Sequence, residues 1–114
     1  AALYSKLLLD LPVVLPPKLD DIYLVNYHLF VIRTKKRDDL SKYLHENGIS
    51  TGIHYPIPIH LQPAMKMLGY KKGDFPITEK LSKEILSLPM FPELTEKEIR
   101  YVCDKIKKYF EGQK

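Results

Sequence analysis

Pro56, Pro58 and Pro63 crowd the middle of the chain so closely that neither a helix nor a central strand can pass through it. Proline fixes its own φ, has no N–H to donate, and drives the residue before it into an extended conformation. Tyr55, Ile57 and Gln62 each precede one of the three. Gly52-Ile53-His54-Tyr55-Pro56-Ile57-Pro58-Ile59-His60-Leu61-Gln62-Pro63 is therefore a stiff, extended loop. Ile57 and Ile59 alternate with prolines, which predicts an apolar side resting on the protein and leaves His54, Tyr55 and His60 to face outward. Rigid polar loops on a scaffold are where binding residues concentrate. A purely structural connector, its histidines bracing neighbouring backbone, fits the same residues.

The remainder must supply the scaffold. Residues 1–9 read as the tail of a helix already under way, with Leu3, Leu7 and Leu8 at helical spacing. Leu11–Leu15 is a short or edge strand between prolines. Lys18–Asp21 is a polar turn. Ile22–Thr34, aromatic and β-branched, is the strongest strand, and Leu29-Phe30-Val31-Ile32 is apolar on both faces, as a central strand would be. His28 is expected to pair with a neighbouring strand or carbonyl. Arg37–Asn47 is a helix with Leu40, Tyr43 and Leu44 inward, anions in its first turn and Gly48 as its left-handed stop. Ser50–His54 then forms a second strand and completes a β-α-β unit. Pro63 opens a short helix with Met65, Leu68 and Ala64 inward, ended by Gly69, and Tyr70–Asp74 is a mobile polar turn. Pro76 opens another helix with Ile77, Leu81 and Ile85 on one stripe, which Ser87–Pro92 breaks into an extended segment. Thr95 and Glu98 make a capping box for a last helix whose inner face carries Ile99, Val102, Cys103, Ile106, Tyr109 and Phe110. Met65, Met67 and Met90 read as core packing. The sum is an α+β fold: a small, mostly antiparallel sheet of three to four strands with helices on one face.

Several functions are disfavoured. The net charge is +4, but arginine contributes only Arg33, Arg37 and Arg100, and most lysines sit beside acids; this is no nucleic-acid face. Lys35-Lys36-Arg37 reads as a solvated surface run. No apolar run approaches the ~18 residues of a membrane span. One cysteine permits no internal disulfide and points to a reducing, cytoplasmic setting. Cys103 itself falls on an apolar stripe as a buried, inert thiol. There is no glycine-rich phosphate loop. His54 and His60 stand six apart without a nearby carboxylate or thiol, a weak start for a metal site. No lysine has the desolvated setting that a Schiff base needs.

Taken together, Tyr27-His28-Leu29-Phe30-Val31-Ile32, Arg37-x-x-Leu40 with Leu44 and Gly48-Ile49, His54-Tyr55-Pro56-x-Pro58-x-His60-x-Gln62-Pro63, Ser87-Leu88-Pro89-Met90 and Pro92-x-Leu94-Thr95-x-x-Glu98-Ile99 resemble the C-terminal part of the DegT/DnrJ/EryC1/StrS aminotransferases. The resemblance runs from about Ala1 to Phe110. It implies that residues 1–114 are the C-terminal small domain of a fold-type I enzyme dependent on pyridoxal 5'-phosphate (PLP), with residues 1–9 the end of an interdomain helix. The catalytic lysine and every cofactor-binding group would lie in a large domain upstream, leaving this piece inactive alone. The implied substrate is a nucleotide-linked keto-sugar, the amino donor glutamate, and the assembly a homodimer. His54 and Tyr55 would approach the sugar or diphosphate, with His60 touching ligand or bracing the loop. The rivals are a stand-alone β-α-β ligand-binding or regulatory module and a metal-binding protein built on His54 and His60.

Overall fold

The computed structural model describes residues 1–19 and 23–112. Its elements are α1 (Ala2–Leu8), β1 (Phe30–Arg33), α2 (Arg37–Glu46), two 3-10 turns (Ile59–Leu61 and Pro63–Leu68), α3 (Pro76–Glu84), β2 (Ile85–Leu88) and α4 (Glu96–Glu111). The α+β class holds, and the sheet is antiparallel. Among the described residues its ladder has two strands, pairing Phe30 with Leu88, Val31 with Ser87, Ile32 with Leu86 and Arg33 with Ile85. A single bridge extends each edge: Val14 pairs with Arg33, and Gly52 with Ser87. Four extended segments thus lie in the order Val14, β1, β2, Gly52, and two of them shrink to one residue. The expected β-α-β unit is split. Gly52 and β1 are both antiparallel to β2, so they run parallel to each other with β2 between them.

The sequence overestimates the strands for identifiable reasons. Ile22 and half of the proposed polar turn, residues 20 and 21, lie outside the described residues. From Tyr23 to Leu29 there is no strand, because Tyr27 turns to φ +46°, out of the β region, and breaks the ladder. Among the described residues His28 pairs with no neighbouring strand; its backbone N–H donates to Asn26 Oδ1 in a local turn. Ile85, placed by periodicity on a helical stripe, instead opens β2, and Ile77 on that stripe is 74% exposed. The Pro63 turn likewise leaves Leu68 and Met67 exposed, so Met67 is not core. Tyr70–Asp74 is tied down: Lys71 N–H donates to Asp74 Oδ2, and Gly73 N–H to Glu79 Oε1.

Packing makes the two faces of the sheet unequal. Directly opposed residues of an antiparallel pair share a face. Phe30, Ile32, Leu86 and Leu88 share one face and are all buried. Tyr4 and Leu8 of α1, Leu40 and Leu44 of α2, and Val102, Cys103 and Ile106 of α4 complete that core. Each such side chain contributes on the order of 1.5–3 kcal/mol by leaving water. Tyr4 stacks on Phe30 with ring centroids 5.0 Å apart, and its hydroxyl donates to Pro89 O. The opposite face carries Val31, Arg33 and Ile85, half-buried, and Ser87, buried, while the core residues of α1, α2 and α4 pack on the other side.

Local signals at helix ends hold as read. Gly48 takes φ +74° behind α2, and Thr95 and Glu98 form the reciprocal capping box of α4. Arg37 is a correction. It is buried rather than solvated, and its guanidinium donates to Ser82 O and Ile85 O, the carbonyls where α3 passes into β2.

Candidate functional site

The loop enters on the sheet face away from the core. Gly52 and Ser87 exchange two backbone hydrogen bonds, of 3.1 and 2.8 Å. Two residues on, His54 folds back so that its Nδ1 lies 2.9 Å from Ser87 Oγ. Its ring lies against Gly52, where an added Cβ would meet His54 Cε1 at 2.6 Å. The glycine is thus required by the approach of a side chain, not by its own φ. Tyr55 is joined to His54 by a cis peptide, meets the imidazole edge to face at 5.6 Å, and is 72% exposed. Ile57 and Ile59 do not rest on the protein as alternation suggested; they are 52% and 68% exposed.

His60 goes elsewhere. It is buried, its Nε2 lies 3.0 Å from Glu79 Oε1, and its ring packs on Phe75. Glu79 reads as the hub of this end: it also accepts Gly73 N–H at 2.7 Å. That backbone bond, with the His60 side chain and a Phe75 backbone bond behind it, holds its carboxyl below the ordinary value. His60, Met65, Leu68, Tyr70 and Phe75 line a cavity of about 320 Å³ beside the pair. The structure therefore keeps His54 and Tyr55 together and assigns His60 to a separate brace at the far end of the loop. A second cavity, of about 400 Å³, lies on the sheet face away from the core between Val14, Val25, Tyr27, Val31 and Arg33. There Arg33 Nη2 reaches Glu84 Oε2 at 3.2 Å, while its buried Nε has no partner among the described residues.

Gly52, Ser87 and Glu79 belong to this arrangement, and their roles were missed from sequence. Each acts on a histidine through the fold: Ser87 lies 33 residues from His54, and Glu79 lies 19 from His60. In the sequence Ser87 stands out only as the first residue of the Ser-Leu-Pro-Met run, which names the residue without its use.

Among the described residues, no three His, Cys, Asp or Glu side chains come together in a way that could hold a metal ion. A PLP seat does not fit either. No described lysine is buried; Lys105, the one that is half-buried, donates to Asn47 Oδ1 at 2.7 Å. An amine that attacks a carbonyl at neutral pH needs a desolvated or cation-crowded pocket. Among the described residues, no helix is long and apolar enough to cross a membrane.

What results is a helix-backed α+β domain that displays an aromatic, proline-stiffened loop on the side of its sheet away from the core. The sequence profile of the DegT/DnrJ/EryC1/StrS aminotransferase family matches residues 1–107, and the chain belongs to that family. It is 48% identical over 113 residues to a protein named pleiotropic regulatory protein from Geobacillus stearothermophilus, a match covering 96% of this chain and 30% of that one. With the dTDP-3-amino-3,4,6-trideoxy-alpha-D-glucose transaminase of Streptomyces venezuelae it shares 38% identity over 85 residues, 75% of this chain and 22% of the enzyme. The crystal structure of S. venezuelae DesV in complex with a ketimine intermediate superposes with a TM-score of 0.90 at 36% identity, covering 96% of this chain and 30% of that one. The chain spans at most about 30% of the length of these relatives.

Proposed function

We propose that residues 1–114 form the C-terminal small domain of a PLP-dependent aminotransferase that acts on a nucleotide-linked keto-sugar, with His54 and Tyr55 recognising that substrate. The observation that carries this reading is the seat of His54. Its imidazole is fixed between Ser87 and Gly52 on the sheet face away from the core, with the exposed Tyr55 phenol beside it. An imidazole and a phenol offer directional hydrogen bonds and flat faces suited to a sugar or its diphosphate. The cofactor would be held by polypeptide outside this chain, because no described lysine fits it. Glutamate as donor, a cytoplasmic location and a homodimer complete the proposal. His60 serves as the brace of the loop, consistent with its burial against Glu79 and Phe75.

The test uses the full-length protein and separates the two half-reactions. His54→Ala and Tyr55→Phe should slow amino transfer to the sugar by about tenfold or more, or ~1.4 kcal/mol of transition-state stabilisation, while the step with glutamate keeps its rate. Equal loss in both steps would remove the recognition role. The relative named as a regulatory protein supports a second reading, in which the same loop binds a ligand without transfer. A full-length protein that binds the nucleotide-sugar yet transfers no nitrogen would establish it.

A further inference from the structure

We propose that Ser87 is a positioning residue for His54: it holds the imidazole as the neutral Nε2–H tautomer, so that the site presents an N–H donor to an oxygen of the substrate. This rests on the reading of the loop given above and deepens it by fixing the kind of group the loop can take.

Ser87 is 4% exposed, and among the described residues its hydroxyl has a single hydrogen-bonding partner, His54 Nδ1 at 2.9 Å. A hydroxyl carries one hydrogen, and a buried polar hydrogen left unmatched is costly. Ser87 therefore donates and Nδ1 accepts. A neutral imidazole whose Nδ1 accepts carries its proton on Nε2. The reverse tautomer would point two hydrogens at one another or strand the serine hydrogen in a buried place. Nε2 has no protein partner among the described residues, and His54 as a whole is exposed, so the remaining donor is free for a ligand.

The geometry is held from three directions. Ser87 fixes one nitrogen, Gly52 leaves room for the ring, and the paired backbone bonds between Gly52 and Ser87 lock both to the same point of the sheet. An N–H at Nε2 selects an acceptor: a sugar hydroxyl or carbonyl oxygen, or a diphosphate oxygen. It offers nothing to an ammonium group, which is itself a donor. The site thus distinguishes the sugar before amination from the product at whichever atom faces Nε2.

The experiment labels histidine nitrogens in the full-length protein and assigns His54 by its disappearance in His54→Gln. The expected result is the Nε2–H pattern in the parent protein and in Ser87→Thr, and its loss in Ser87→Ala. An Nδ1–H pattern in the parent, or an unchanged pattern in Ser87→Ala, overturns the proposal whatever the activity. In parallel, Ser87→Ala should lower kcat/KM for the sugar about tenfold with the glutamate step unchanged. Ser87→Thr should restore most of it, and Ser87→Ala should cost nothing further in a His54→Ala background. Melting temperatures confirm that each variant folds. If His54→Ala is silent, the loop reading itself falls. If His54→Ala is damaging and Ser87→Ala is silent, only the positioning role falls.

Discussion

Gly52 is the residue at which loop and sheet meet, and its missing side chain is what lets His54 lie flat against the backbone. Gly52→Ala should therefore leave stability within about 1 kcal/mol, because the ring it displaces is the free end of a side chain, yet impair amino transfer to the sugar as His54→Ala does. Thermal melting beside the two half-reactions checks this; a collapse in stability would instead place Gly52 in the scaffold. Glu79 supports a pH prediction. Its carboxyl is held below its ordinary value, chiefly by Gly73 N–H and then by His60, so the folded state takes up its proton less readily than the unfolded chain. The stabilisation is present above the ordinary carboxylate range and is lost as the pH falls through the lowered folded value. Urea midpoints followed from neutral pH into that acid window should drop, and Glu79→Gln should flatten part of the slope. Glu98, held low by Thr95, acts in the same direction. His54, Tyr55 and His60 were visible as candidates because imidazole and phenol on a proline loop stand out. The partners that sort them into one pair and one brace were not, since a serine in a strand and a glutamate in a first helical turn carry no mark of the distant residue they will touch.

Helices announced themselves better than strands, because helix signals are local. Thr95 with Glu98, Gly48 behind Leu44, and the Val102, Cys103, Ile106 spacing each lie within one or two turns, and each appears where periodicity puts it. A strand of four residues is made by what pairs with it. Leu86 and Leu88 are paired with β1, more than fifty residues away, and nothing near them distinguishes Ile85 as the last helical or the first extended residue. Arg37 was misread for the same reason: a basic run looks solvated until the carbonyls of Ser82 and Ile85 arrive over it. With its side chain only 9% exposed, it ties the start of α2 to the α3–β2 junction. Arg37→Met removes a charged donor from two carbonyls and should cost about 3 kcal/mol, read as a lower urea midpoint at unchanged slope. Arg37→Lys should recover only part, since one ammonium does not reproduce the guanidinium fork. A loss below about 0.5 kcal/mol would mean that water replaces those bonds.

The molecule as a whole is less closed than its length requires. Its Cα radius of gyration is 15.8 Å, against roughly 13 Å for a compact chain of this size. One side is a sealed core; on the other Val31, Arg33 and Ile85 are only half-buried, and exposed apolar side chains such as Val14, Val25 and Tyr27 stand beside them. Burial pushes the Cys103 thiol up to about 12, so a thiol reagent should fail to label it in the native protein and react fully once urea unfolds the chain. Labelling under native conditions would reveal local opening of α4. Titrating this chain alone with PLP should give no lysine-adduct absorbance beyond that of free surface amines; a distinct, saturable band would contradict the assignment of the cofactor to other polypeptide. The interleaved strand order has one more consequence, in the time domain of synthesis. The segment at the centre of the sheet, Ile85–Leu88, leaves the ribosome after both of its neighbours. A nascent chain stalled before Ile85 can form neither the main ladder nor the Gly52 bridge, so Phe30, Ile32 and the future seat of His54 stay unpaired until Ile85–Leu88 has emerged.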